Sequence, residues 1–422
     1  MNINKTITIR EDVVNRFIKY VKIDTQSKED AEQIPSTEKQ FDLANILVSE
    51  LKELGIKDAH VDKHCYVMAT LPSNLSDTEN KKVPKVGFIA HLDTSPDSPG
   101  NNVEPIIHKN YKGGDIVLPK NNVIIKADEN PLLKDSINDD IITSNGTTLL
   151  GADDKAGVAE IMTAINYLVN NPDVKHGDIK IGFTPDEEVG RGADLFDVAK
   201  FGADFAYTLD GSTIGELEKE TFNAFTATIK ITGFMVHPGY AKNKMVNAAR
   251  IACDIISKIP CDRVPETTEE REGYIHLHGI SGDVEKASLK VLLRDFEMEG
   301  IEKSKNILNE IIASVKDRYP KAIIEMDIAE TYKNMRYKIE EQPIVIDCAV
   351  EAIKKSKIEP KIRVIRGGTD GSRLSYMGLL TPNLFTGGQN FHSVTEWIPA
   401  GVMAKAVETI VNLSQIYVEK HV

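Results

Sequence analysis

Five times along this chain an apolar run of strand length stops and acids or a histidine follow. Residues 85–90 lead into His91-Leu92-Asp93, and 147–150 into Gly151-Ala152-Asp153-Asp154-Lys155-Ala156-Gly157. Residues 178–184 end in Pro185-Asp186-Glu187-Glu188-Val189-Gly190, 203–209 in Asp210-Gly211, and 381–385 lead through Gly387-Gly388 to His392. Strands that carry their polar chemistry at one end point to an open α/β sheet, whose crevices form beyond the carboxyl ends of the strands. At the centre of the pattern, 151–157 places two adjacent carboxylates and a lysine between glycines, just before an apolar-periodic run over 158–168. Helix N-termini tolerate acids, so alone the stretch reads equally well as a helix start. Its four companions decide for a shared site.

A chain of 422 residues exceeds the roughly 250–300 residues at which a single hydrophobic core stops growing, which predicts two domains. Its 51 basic and 64 acidic residues give a net charge of -13. That charge repels phosphate backbones and anionic bilayers, and so excludes non-specific binding to nucleic acid or membrane. No apolar run approaches the roughly 20 residues needed to cross a bilayer, and residues 1–10 lack an apolar core of signal-peptide length. The expectation is a cytoplasmic protein. Cys65, Cys253, Cys261 and Cys348 are scattered without a CxxC spacing and are expected to be buried, reduced thiols.

Apolar residues at helical spacing predict helices over 9–21 and 37–54, the second closed by Gly55. Residues 59–71 read as a strand, and 94–147, rich in Asn, Asp, Pro, Gly and Lys, as an excursion on the rim of the site with short strands such as 115–118. From about Glu218 the pattern changes to strand 223–232, helix 247–259, strands 273–280 and 287–296, helix 301–319 and strand 322–329. That order, βαββαβ, is complete in itself. A second domain, 219–333, is therefore expected to be inserted into a first made of 1–218 and 334–422. The first resumes with helix 343–355, strand 361–365, a glycine loop over 366–372 and a final helix over 399–414. The loop lacks the Gly-Lys-Ser/Thr ending of a nucleotide-binding loop. The expected fold is α/β, a mixed, mostly parallel sheet flanked by helices, with an inserted α+β domain of ferredoxin-like order.

Side chains alternate across a strand, so His91 and Asp93 point to the same side. A carboxylate there can hold one imidazole nitrogen and leave the other for a metal. Glu187 and Glu188 can divide labour, one on a metal and one free as a base. The candidate ligands are His91, Asp153, Glu188, Asp210 and His392. Nitrogen and oxygen donors together suit zinc, with cobalt or manganese as substitutes, over calcium. Two divalent ions bring four positive charges; three carboxylates remove three and a bridging hydroxide the fourth. Metal-bound water ionises near pH ~7, so that hydroxide is available as a nucleophile. A metal-free mechanism using Glu187 and Glu188 fails, because adjacent residues do not flank a scissile bond at the ~5 Å or more it needs.

The sequence resembles a large family of co-catalytic zinc peptidases and amidohydrolases, and within it the aminopeptidases that act on tripeptides. The resemblance rests on residues 23–27, His91-Leu92-Asp93-Thr94-Ser95-Pro96-Asp97, the stretch from Gly146 to Gly157, and Thr184 to Gly190. It continues through Asp210, His237-Pro238-Gly239, Arg294-Asp295-Phe296, 366–372, and 383–388 with His392, in the same order over nearly the whole chain. The resemblance implies two zinc ions, one held by His91, Asp153 and Asp210 and the other by Asp153, Glu188 and His392. It implies that Asp93 orients His91, that Glu187 carries the proton from the bridging water to the leaving amine, and that the Asp153–Asp154 peptide bond is cis. The inserted domain becomes a lid and a homodimer surface. In that lid His237 supports the oxyanion, of its own or a neighbouring subunit, and Arg294 grips the substrate's carboxylate. Arg366 belongs to a substrate-contacting loop. Local sequence alone reads His237 as a turn residue before Pro238 and Arg294 as a strand-end partner of Asp295 or Glu297. Tyr240 stands where the family has a small residue, and His276 and His278, for which the family offers no role, read as structural.

The expected function is a di-zinc aminopeptidase releasing the N-terminal residue of tripeptides. Related dipeptidases, carboxypeptidases and N-acyl amino acid amidohydrolases share the same ligands and are separated by substrate. A catalytically inactive binding protein would have lost a ligand or the base, and all six residues are present.

Overall fold

The computed structural model describes residues 3–422; Met1 and Asn2, which open the stretch read for a signal peptide, lie outside it. The chain divides into two compact units, one made of residues through Lys219 with 337–363 and 369–422, the other of 220–336 with 364–368.

In the first unit Val86–His91 is buried at every position, and its side chains alternate: Phe88 and Ala90 join one apolar cluster, Ile89 another. A strand buried on both faces belongs inside a covered sheet. It lies fourth in an eight-stranded sheet ordered His60–Val61, Val67–Leu71, Ile179–Thr184, Val86–His91, Phe205–Gly211, Asn383–Phe385, Glu216–Thr221, Lys361–Ile365. The four strands from Ile179–Thr184 to Asn383–Phe385 run parallel, in a register that sets His91 beside Thr184 and Ile89 beside Thr208. Val67–Leu71 and Glu216–Thr221 run antiparallel to them. The sheet is mixed, with its parallel carboxyl ends side by side.

Helix Ala152–Asn170 packs on Val86–His91 and Phe205–Gly211, and against it lie helices Ile3–Tyr20 and Ala400–His421, the latter also meeting Ile344–Lys355. The close approach depends on Gly157. A Cβ there would stand 2.0 Å from the carbonyl oxygen of Leu209 and 2.5 Å from Asp154 Oδ1. On the opposite face Tyr66, Ile89, Phe196, Phe201 and Leu374 form a smaller cluster.

Two local expectations change, those for 59–71 and for the cysteines, and the excursion carries short strands as expected. Residues 59–71 form two short antiparallel strands, because Asp62 turns the chain by accepting the backbone N–H of His64 at 2.9 Å and of Tyr66 at 3.0 Å. In the excursion 94–147, Ile106–His108 pairs with Ile141–Thr143, which pairs in turn with Trp397–Pro399, and Tyr111, Ile116, Leu118 and Leu133 form a small core with Trp397. Cys253 and Cys261 are exposed, while Cys65 and Cys348 are buried, and all four are free thiols. Helix Ala248–Ile256 turns Ala248, Ile251, Ala252 and Ile255 inward, which leaves Cys253 on its outer face.

The second unit is an antiparallel sheet ordered Tyr274–Gly282, Lys286–Asp295, Asn223–Thr232, Ile323–Tyr332. Helices Ala248–Ile256 and Met298–Arg318 cover one face through Ile251, Ile255, Leu308, Ile312 and Val315. This is the ferredoxin-like order that the periodicity predicts. Among the described residues no helix is long and apolar enough to cross a membrane.

Candidate metal centre

His91 ends its strand with the imidazole buried between two carboxylates. Its Nδ1 faces Asp93, 3.1 Å from the backbone oxygen and 3.4 Å from Oδ1, which leaves Nε2 for the site. Nε2 lies 2.8 Å from Asp153 Oδ1 and 3.7 Å from Asp210 Oδ1. The second oxygen of Asp153 lies 3.4 Å from His392 Nε2, which is 2.9 Å from Glu188 Oε2. By these distances Asp153 stands between His91 and Asp210 on one side and Glu188 and His392 on the other. The donor atoms of His91, Asp153 and Glu188 fall within 4.8 Å of one another, as do those of His91, Asp154 and Asp210. Asp154 accepts the backbone N–H of His91 at 3.1 Å and of Gly157 at 3.2 Å, so it braces the loop while Asp153 faces the opening. The peptide bond between them is cis.

Sequence reasoning missed much of what holds these groups. Asp93 also accepts the backbone N–H of Glu187 at 3.0 Å and of Glu188 at 3.2 Å. Asp186 sits in the left-handed region at φ 56° and anchors that turn from behind, accepting from Ser36 N at 2.6 Å and Gln40 Nε2 at 2.7 Å. Asn383 accepts the N–H of Asp210 at 3.0 Å. Asp97, the last residue of the His91 motif, holds His392 Nδ1 at 2.9 Å as Asp93 holds His91. Glu396 accepts three N–H groups, those of Leu150, Gly151 and Asp153, at the entry to helix Ala152–Asn170. Asp370, in the glycine loop, accepts from Thr184 Oγ1 at 2.7 Å and shares a small cavity with His91, Asp154, Glu187 and Asp210. Asp97, Asp186, Asp370 and Asn383 had a signal, their places in stretches already singled out; Ser36, Gln40 and Glu396 had none.

The electrostatics call for cations. Burial and the neighbouring Asp153 push the Glu188 carboxyl up to about 8 and that of Asp210 up to about 6. Burial also raises Glu187 well above the carboxylate range, and Glu188 Oε1 is buried without a hydrogen-bond partner. Packed acids with an orphaned oxygen and imidazole nitrogens among them fit a pair of divalent ions that accept mixed nitrogen and oxygen donors.

His237, Arg294 and Arg366 belong to the second unit. His237 is exposed in a turn, its Nδ1 accepting the N–H of Gly239 at 3.1 Å. Arg294 donates to the carbonyls of Phe225 and Leu293 and lies over the Tyr332 ring, and Asp295 and Glu297 are not among these partners. Arg366 donates to the carbonyls of Thr268, Glu270 and Glu272 and lies over the rings of Phe222 and Tyr274. His276 and His278 stand 6.0 Å apart, ring to ring, and no third ligand joins them among the described residues.

An α/β sheet that gathers two histidines and three carboxylates beyond its parallel strand ends, with a free glutamate beside them, defines a metallohydrolase. The chain belongs to the peptidase family M20/M25/M40, whose model matches residues 144–415. Within it the chain is similar to peptidase T of Clostridium botulinum (Loch Maree, type A3), 51% identical over 411 residues that cover 97% of this chain and 100% of that one. Peptidase T of Halothermothrix orenii is likewise 51% identical over 409 residues, 97% of this chain and 99% of that one. In fold it is similar to the crystal structure of aminopeptidase PepT from Bacillus cereus, with a TM-score of 0.73, 24% identity and coverage of 97% and 98%.

Proposed function

We propose that this metallopeptidase releases the N-terminal residue of tripeptides in the cytoplasm with two zinc ions, cobalt or manganese being able to substitute. The observation that carries the reading is 51% identity to peptidase T along the full length of both chains. The reading assigns one ion to His91, Asp153 and Asp210, and the other to Asp153, Glu188 and His392. When bound, such a pair polarises a peptide carbonyl and makes a water molecule acidic near neutral pH. Glu187 is next in sequence to a ligand, and the reading has it take that water's proton and return it to the leaving nitrogen. Asp93 and Asp97 orient the two imidazoles, fixing which nitrogen each offers.

In this reading the second unit is a lid and a homodimer surface. His237 donates to the oxygen that gains charge as the carbonyl is attacked. Arg294, with the loop of Arg366, grips the substrate's carboxylate at a fixed distance and so measures its length.

The test is hydrolysis by dialysed protein, with and without added zinc, of matched di-, tri- and tetrapeptides and an N-acetylated tripeptide. Release of the first residue from the free tripeptide alone, dependent on metal and lost in Asp153→Ala, is expected. Preference for the acetylated or another substrate would move the protein to a neighbouring amidohydrolase class.

A further inference from the structure

We propose that Glu396 is a positioning residue that locks the loop of Asp153 to the loop of His392, and that it acts chiefly on the metal held by Asp153, Glu188 and His392. The proposal rests on the two-metal reading given above.

Glu396 is 1% exposed. Its Oε2 accepts the N–H of Leu150 at 2.7 Å and of Gly151 at 2.8 Å, and its Oε1 accepts that of Asp153 at 3.1 Å. The first N–H groups of a helix have no partner within the helix, and here a buried side chain from far along the chain supplies acceptors at that entry. A carboxylate suits three converging donors because both its oxygens only accept. An amide would turn an NH2 toward one of them.

The same residue belongs to the turn that carries His392. Gln389 and Trp397 exchange backbone hydrogen bonds at 2.9 and 3.1 Å, which closes the turn with His392 inside it and Glu396 at its end. The next residues, Trp397–Pro399, pair antiparallel with Ile141–Thr143, so the two loops leave a common strand pair. Glu396 joins them a second time, at the metal ligands themselves.

The other ligands have separate supports. The backbone of His91 is held by Asp154 and that of Asp210 by Asn383. His392 has supports of its own, Asp97 at Nδ1 (2.9 Å) and Ser98 at its backbone oxygen (2.7 Å), but the Glu396 side chain ties its turn to the Asp153 loop. Both of these loops supply ligands to the Glu188 group, and one of them to the Asp210 group. Loss of the clamp is unequal between them.

The experiment is calorimetric titration of zinc into chelator-stripped protein, for the wild type, Glu396→Gln and Asn383→Ala, with circular dichroism to confirm folding. Wild type is expected to take up two equivalents. Glu396→Gln keeps one step near its original affinity and weakens the other roughly 10- to 100-fold, the range usual for loss of a ligand's supporting partner. Adding His392→Ala to Glu396→Gln removes the weakened step alone, and Asn383→Ala weakens the opposite step. Equal weakening of both steps by Glu396→Gln, or of neither, overturns the proposal and leaves the two-metal reading standing. A wild type that binds fewer than two ions overturns that reading itself. If the Gln variant does not fold, Glu396→Asp, which keeps the charge one methylene short, is titrated against the same criteria.

Discussion

The carboxylate of Asp93 accepts the backbone N–H of Glu187 at 3.0 Å, and its second oxygen accepts that of Glu188 at 3.2 Å. The same group faces Nδ1 of His91. One side chain therefore sets both the imidazole of a candidate ligand and the turn that presents the proposed base. Asp93→Ala is expected to weaken zinc binding roughly 10- to 100-fold and to lower kcat at saturating zinc as well, because the turn loses two acceptors. Asp93→Asn keeps one acceptor oxygen and falls between. Zinc titration with steady-state kinetics on a tripeptide checks this, and an Asp93→Ala enzyme of normal kcat at saturating zinc would contradict it.

Glu187→Gln keeps the size and most contacts of the side chain while removing its ability to take a proton. Turnover is expected to fall by about 10²–10⁴, the usual contribution of a positioned base, with zinc content and KM little changed. Metal analysis of the purified variant separates the outcomes. Zinc lost together with activity would move Glu187 among the ligands.

Much of this site was legible because its ligands end strands. His91, Glu188 and Asp210 each follow a short, continuous apolar run, the mark of a strand covered on both faces, and the parallel register then sets the ends together. The βαββαβ unit was legible by its periodicity, since each element is amphipathic. The supporting shell was not. Glu396 and Asp186 meet partners about 150 to 250 residues away, and several of those partners are backbone N–H groups, which every residue carries. Within 94–147 the strands are two or three residues long, so the sequence offered no more than short runs such as 115–118, which holds Ile116–Val117. The Arg366 loop read as a glycine loop, and by resemblance as one that contacts substrate, but not as a helix start, although Thr369 caps a helix over Asp370–Tyr376 and the acid at its start is buried against Thr184.

Gly157 follows the acids of the central motif for a packing reason that the sequence alone did not give. Its missing side chain lets helix Ala152–Asn170 rest on Phe205–Gly211, with the backbone of Leu209 2.0 Å from where a Cβ would be. Gly157→Ala gains helix propensity, worth about 1 kcal/mol, but must push the helix off a backbone that cannot rotate away. The net effect is expected to be destabilising by up to about 2 kcal/mol, the usual ~1–3 for overpacking less that gain. Chemical denaturation measures it, and an unchanged midpoint would show that the helix moves freely on the sheet.

Glu160 lies on the same helix with no exposed surface, and neither of its carboxyl oxygens has a hydrogen-bond partner. Burial, with a smaller contribution from Asp154, holds its pKa well above the carboxylate range. The folded protein therefore binds this proton more tightly than the unfolded chain, where a glutamate titrates near ~4.3. The sign follows from linkage. The stability contributed by the bound proton is complete below the unfolded value and is lost as pH rises toward the folded one, at about 1.4 kcal/mol per pH unit between the two. Glu160→Met keeps the length and helix propensity of the side chain and removes the titration. The gap between the variant and wild type is expected to be smallest near pH 4 and to widen as pH rises above the unfolded value, at about 1.4 kcal/mol per pH unit until the folded value is reached. Denaturant midpoints at each pH measure the gap. A gap that does not vary with pH would mean that Glu160 titrates as it does in the unfolded chain, and that its burial carries no proton.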